Sequence, residues 1–370
     1  MAKHSTSFLI IGIRILIVVV LILLGSGSNI MAKEYPSFFR GVRPLGMGGA
    51  FTAVADDENA IFYNPAGIPK TQTFQIGLLN PLIEVSKNTI DLASDVQDTE
   101  MDDTAAVSDL LKKYTGEHQH ARASLFPNVG FKIASVGVQL GALAQGTFDA
   151  DIHNPVWPET HFDYVRDIGL FAGAGMKLPF AGLSAGIAIK SLTRESLNEV
   201  YTAIDIASED FENKIEDDLN SGSGFSVDIG LLYDIPFLSK INPQVALAAQ
   251  NFPNMDMGDA KDIESQINTG FSIETSFAFV TFIGALDYMD IGNAIGEDED
   301  MAKRLHLGGE IKLANFFSVR GGLNQGYFTA GATLDFFIFR FDAATYAEEV
   351  GAYAGQREDR RYLGQLTIGW

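Results

Sequence analysis

Gly46, Gly48 and Gly49 form the first cluster that invites a chemical reading, because closely spaced glycines let backbone amides wrap a phosphate. The context argues against that reading. Neither GxxxxGK[ST] nor a GxGxxG between strand and helix is present, so no nucleotide or other cofactor is expected. His118 and His120 have the spacing of two metal ligands, but the pair reads as part of a polar loop, where histidines are ordinarily solvated. His153, His161 and His306 are scattered and no HExxH occurs, so no metal is expected. Ser184 and His306 share the inward face of their strands, as a lipase-like wall would need, yet nothing brings them together. No catalytic residue is assigned, and the chain is read as a non-enzyme. The absence of cysteine excludes disulfide scaffolds and thiol catalysis, and a net charge of -21 argues against a nucleic-acid partner. The acidic runs Asp91–Asp103, Asp205–Asp218 and Glu297–Asp300 lack the spacing of an EF-hand. They read as solvated loops that keep the surface from aggregating.

The elements that must carry these residues begin with a leader. Lys3 and Arg14 precede the apolar run Ile15–Leu24, and the small residues Gly25–Ser28 follow, so residues 1–28 are expected to be a cleaved signal peptide. Arg14 cuts the run well short of the roughly 20 apolar residues a membrane helix needs. From Phe74 onward the period is two. Leu305, Leu307, Gly309, Ile311 and Leu313 alternate with Arg304, His306, Gly308, Glu310 and Lys312. The same alternation runs through Ala181–Lys190, Gln325–Phe336 and Arg361–Trp370. Segmenting the chain this way gives about fourteen strands, among them unbroken strands over 73–85 and 119–133.

Loop parity separates a barrel from a soluble sandwich. With the C-terminus inside, every second connection is short: Ala134-Ser135, Leu178–Phe180, Ile235–Asn242, Phe279, Ala314-Asn315 and Phe337-Ile338. The others include Ser86–His118, Asn198–Ser221, Phe252–Ser265, Ile291–Lys303 and Glu349–Asp359, which hold most of the acidic runs. Short turns on one side and long loops on the other are the asymmetry of a bacterial outer-membrane barrel. The predicted fold is therefore all-β, a transmembrane antiparallel β-barrel of about 14 strands over residues 73–370, with outer-membrane lipids around its wall and lipopolysaccharide beside its acidic loops as the expected partners. Helical spacing within two outer loops, Val107–Tyr114 and Asp205–Leu219, adds short extracellular helices. Trp370 ends the last strand on its apolar face, where the barrel-assembly machinery reads a terminal aromatic.

Between leader and barrel lies RPLGMGGAFTAVADDENAIFYNPAGIPK, Arg43–Lys70, too short and glycine-rich to bury a core of its own. Its glycines permit positive φ and close backbone approach, Asn64-Pro65 favours a turn, and Asp56, Asp57 and Asn59 are placed to satisfy backbone donors. The glycine cluster, Asp56-Asp57 and Asn64-Pro65-Ala66-Gly67 together resemble the start of the FadL/TodX outer-membrane transport superfamily, especially its PorV/PorQ-like branch. The resemblance implies a fourteen-stranded barrel whose residues 29–72 fold inward as a hatch. On that reading Gly46, Gly48, Gly49, Asp56, Asp57, Asn64, Pro65, Ala66 and Gly67 are hatch or gating residues. It implies one of two activities. One is transport of a hydrophobic small molecule, a long-chain fatty acid or an aromatic hydrocarbon, through the lumen and out sideways. The other is a PorV-like role in which the barrel holds secreted proteins at the cell surface.

Overall fold

The computed structural model describes residues 37–179, 182–238, 240–294, 300–314 and 316–369. The leader and Trp370 lie outside them, as does most of the acidic run 297–300. Sixteen strand segments form a single antiparallel sheet closed on itself. Two pairs of segments are collinear halves of interrupted strands, which leaves the 14 strands of the barrel. Strand β1 comprises Phe74–Leu79 and Leu82–Ser86, and β2 comprises His118–Leu125 and Asn128–Ile133. There follow β3 (Val136–His153), β4 (Glu159–Lys177), β5 (Leu183–Thr202), β6 (Asn220–Asp234) and β7 (Gln244–Phe252). The second half holds β8 (Gln266–Phe277), β9 (Val280–Tyr288), β10 (Leu305–Leu313), β11 (Phe317–Asn324), β12 (Tyr327–Phe336), β13 (Phe339–Glu349) and β14 (Glu358–Gly369). Both halves of β1 pair with β14, which closes the ring.

Burial is inverted relative to a soluble protein. Leu307, Ile187, Leu231 and Phe341 point outward and are exposed, while His306, Lys190, Asp228 and Asp342 point inward and are buried. A wall of aliphatic and aromatic side chains over a polar interior is stable only against lipid. The tight turns carry a rim of exposed phenylalanines, Phe277, Phe279, Phe316, Phe336, Phe337 and Phe339, at the height where aromatic residues meet headgroups. Four of these turns are made by residues with positive φ, Ala134, Ala278, Ala314 and Phe337. The opposite loops hold helices α3 (Lys87–Gln97), α4 (Thr104–Lys113), α5 (Ala203–Ile206) and α6 (Phe211–Asp218), in the two loops where helical spacing occurs. Val107, Leu110, Leu111 and Tyr114 turn toward Ile152 and Ala203, so their apolar stripes are packed together rather than offered to solvent.

The first two strands depart from the expectation of continuous segments over 73–85 and 119–133. Pro81 and Pro127 lack an N–H and sit where the ladder stops. Pairing runs Phe74–Gly77 with Asn128–Phe131, then resumes at Leu82–Val85 with Ala121–Ser124. Across the break the buried positions of β1 change from Gly77 to Leu82, Glu84 and Ser86, a one-residue slip that reverses the faces.

Candidate functional site

Residues 37–71 fill the lumen. The chain enters through α1 (Val42–Gly46), turns at Gly48 and Gly49 with φ of 66° and 84°, and continues through α2 (Ala60–Tyr63) into a 3₁₀ helix over Pro65–Lys70. Asn64 begins that last helix: its Oδ1 accepts the Ala66 amide at 3.1 Å, and Pro65 supplies the fixed φ of a first helical position. The Asn64 Nδ2 donates to Thr52 O at 2.9 Å and to Leu231 O of β6 at 3.3 Å. One amide therefore caps a helix, ties two parts of the segment and fixes both to the wall.

The wall is hollowed to receive this segment. A Cβ on Gly186 or Gly175 would strike Pro65, one on Gly230 would strike Asn64, and one on Gly308 or Gly322 would strike Met47 and Gly48. Conversely, a Cβ on Gly48 would fall 2.3 Å from Leu307 O of the wall, and within the segment one on Gly67 would fall 1.9 Å from Ala55 O. Gly46 lies against Gly331. Glycine on both sides brings backbone to backbone, and the contact is a fitted seam rather than a loose plug.

Charge completes the seat. Arg43 reaches Asp56 Oδ1 at 2.5 Å, Asp57 Oδ2 at 2.7 Å and Glu310 Oε2 at 2.7 Å, while Arg320 donates to Glu310 Oε1 at 2.7 Å. Lys312 adds Asp56 at 3.2 Å, and Arg340 joins Glu58 to Asp342. Glu310 and Lys312 of β10 and Arg340 of β13 are thus engaged with the lumenal segment. Asp57 does satisfy a backbone donor, the Asn59 amide at 2.8 Å. Asp56 differs from the expectation: its carboxylate serves the ion cluster. Burial opposes its charge, but Arg43 and Lys312 hold it well below the usual carboxylate range. Asp287 of β9 accepts the amides of Phe51 and Thr52 at 2.7 and 2.6 Å. Lys70 donates to Ala53 O, Val54 O and Gln244, and burial pulls its ammonium down to about 8.

The break in β1 and β2 sits beside this segment. Asn80 stands in for the missing ladder, accepting the Phe126 amide at 2.7 Å and donating to Phe126 O at 2.6 Å. Phe126 swings inward onto Phe62, with centroids 4.7 Å apart, and onto Phe171 at 5.9 Å. Phe39 stacks on Phe62 at 3.9 Å, and Phe38 on Phe171 at 6.1 Å. Gly141 leaves the room for the Phe126 ring. On the lipid side of the same wall lies an apolar groove of about 630 Å³, bordered by Ile76, Leu78, Val129, Leu140, Ala142 and Leu170. Phe171 borders both this groove and the lumenal aromatic cluster. Neither Asn80 nor Phe126 was singled out from the sequence, although Asn80-Pro81 and Phe126-Pro127 inside expected strands are visible signals of interruption.

The remaining sequence candidates separate. Ser184 on β5 and His306 on β10 are both buried, and the His306 Nδ1 meets Gly48 O at 2.8 Å. His118 and His120 are not in a polar loop; they face the lumen from the outer end of β2, held against carboxylates.

No protein-family model matches the chain, and no curated protein matches it. Solved structures do. The CymD monoaromatic hydrocarbon channel superposes with a TM-score of 0.52 at 10% identity, over 93% of this chain and 98% of that one. The Ralstonia pickettii toluene transporter TbuX gives 0.51 at 10% identity, over 89% and 98%. The fold of this chain is that of these two solved structures, a 14-strand antiparallel barrel with an N-terminal segment and short helices.

Proposed function

We propose that this protein, inserted in the outer membrane after loss of its leader, carries small hydrophobic molecules inward and releases them sideways into the bilayer at the β1–β2 break. Residues 29–72 act as the hatch that closes the lumen to water, and Trp370 is the mark read during barrel assembly. One observation carries the reading: Phe171 lines both the aromatic cluster inside and the apolar groove outside. An apolar molecule crossing there passes from rings to lipid without meeting water, so it never pays for rehydration. The groove's volume of about 630 Å³ falls within the usual 300–1,000 Å³ of small-molecule sites. The hatch's ion cluster favours exit through the wall over ejection of the hatch, since separating Arg43 from Glu310 leaves buried charges unpaired. Aromatic hydrocarbons and long-chain fatty acids are the cargo classes inferred.

The test is uptake of radiolabelled toluene and oleate by Gram-negative cells that lack their own outer-membrane channels for these compounds and express the barrel. At least one should enter above the vector background. Ala142→Trp, on the lipid-facing floor of the groove, should bring uptake back to that background while the barrel still folds. Uptake of neither compound would remove the transport reading.

A second reading, an anchor for secreted proteins, is favoured by β3, β4 and β5. At 18, 19 and 20 residues they run about 60 Å. Even tilted by about 40° they overreach a hydrocarbon core of about 30 Å. Stoichiometric recovery of a secreted protein with the barrel, combined with no uptake, would select it.

A further inference from the structure

The geometry points to a divalent-cation site at the outer end of β2 and β3, built from His118, His120 and Asp149. The register makes it: His120 pairs directly with Asp149, and His118 with Asp151. The His118 Nε2 lies 3.2 Å from Asp149 Oδ1, and the His120 Nδ1 lies 2.6 Å from the same oxygen. All three ligand atoms fall within 4.8 Å of one another. The far nitrogens also face carboxylates: His118 Nδ1 meets Asp151 at 3.1 Å, and His120 Nε2 lies 3.2 Å from Glu84 without completing a hydrogen bond. A neutral imidazole has one N–H, so it can donate to only one of two flanking carboxylates. Two imidazoliums would donate on both sides of each ring; a cation where the two near nitrogens meet Asp149 takes the place of the two near protons and leaves each far N–H turned toward its own carboxylate. That is the carboxylate–histidine–metal pattern of protein metal sites.

The dimensions agree. Metal–ligand bonds of about 2.0–2.2 Å set tetrahedral ligand atoms roughly 3.3–3.5 Å apart. His118 and Asp149 are already near that separation, and His120 needs to retreat by less than about 1 Å. Imidazole ligands select zinc and its late first-row neighbours over calcium or magnesium. Access exists from outside, because the Asp149 and Asp151 side chains are 23% and 31% exposed while both histidines are buried. Facing charges are Glu84, Asp149, Asp151 and Asp359 against Arg122, Arg357 and Arg361. The nearest guanidinium, Arg361, lies 3.4 Å from His118 Nε2 and is held by Asp359 at 2.7 Å. Bound there, the ion joins β2 to β3 and, through Glu84, to β1.

The measurement is Zn²⁺ titration of the chelator-stripped, folded barrel in mild detergent at pH 7.5, in competition with a chromophoric chelator. One ion per barrel is expected. Asp151→Asn should weaken binding by about 10–100-fold, as loss of an orienting carboxylate does, whereas Asp109→Asn, at an exposed carboxylate of α4, should leave it unchanged. The double variant His118→Ala/His120→Ala should bind no stoichiometric ion. Heat-shifted gel mobility reports folding, and if the double variant fails to fold, Co²⁺ absorption of the wild-type barrel gives the answer, with bands of nitrogen ligation expected. Absence of a stoichiometric ion in the wild type, persistence of it in the double variant, or a carboxylate-only Co²⁺ spectrum would overturn the site.

Discussion

Gly48 shows how a single residue fixes the relation between the lumenal segment and the wall. Its φ of 66° is a conformation other residues adopt at a cost, and its Cα stands where any side chain would meet the carbonyls of Leu307 and Leu323. The neighbours are backbone atoms of two paired strands, so they cannot swing aside. Gly48→Ala should therefore destabilise the seated segment by roughly 1–3 kcal/mol. Hydrogen exchange should show faster exchange across residues 41–70, with β8 to β12 little changed. Equal protection in both proteins would mean the seam is looser than its distances indicate. The glycine cluster and the Asn64-Pro65 turn were legible in the sequence because their demands are local, on φ and on helix capping. Their wall partners were not. Gly186, Gly230, Gly308 and Gly322 occupy ordinary strand positions, and only closure of the barrel brings them to the segment.

At the level of elements, the 3₁₀ helix Pro65–Lys70 ends with a charge it can barely accommodate. Burial outweighs Asp56, Asp234 and Glu274 in bringing Lys70 down to about 8 from an ordinary value near 10.5. A lowered value in the folded state means the ammonium opposes folding. That penalty is fully present below about pH 8 and relieved as pH rises from there toward 10.5. The thermal midpoint should accordingly rise from pH 7 to pH 9.5 relative to Lys70→Met, in which the term is absent; parallel pH profiles would show that the ammonium is not coupled to the fold. Strands were the most legible elements, since alternation reports which face meets lipid without reference to any partner. Loop parity was legible for the same reason. The β1–β2 break was missed even though two prolines marked it, because a half-turn of lost ladder leaves the alternation of β2 intact. The histidine pair was misplaced because a polar neighbourhood in sequence became a buried one once β3 lay alongside.

For the whole molecule, the lumenal segment is less an insert than the core around which the barrel is shaped. Deleting residues 37–70 would expose the inward charges Glu310, Arg320, Arg340 and Asp342 in a cavity lined by glycines. The shortened barrel should unfold at lower temperature and admit water and small ions, which conductance across a planar bilayer would detect; an unchanged conductance would mean the strands alone close the lumen. Phe38, Phe39 and Phe62 come from the segment while Phe126 and Phe171 come from the wall, so the same deletion would also remove three of these five rings. The closure of β1 on β14 has a temporal consequence as well. The segment precedes β1 and fits too closely, glycine against glycine, to be threaded into a finished ring. The growing sheet must curl around it, which makes the N-terminal segment the mandrel of assembly and the β1–β14 seam the last joint to be made.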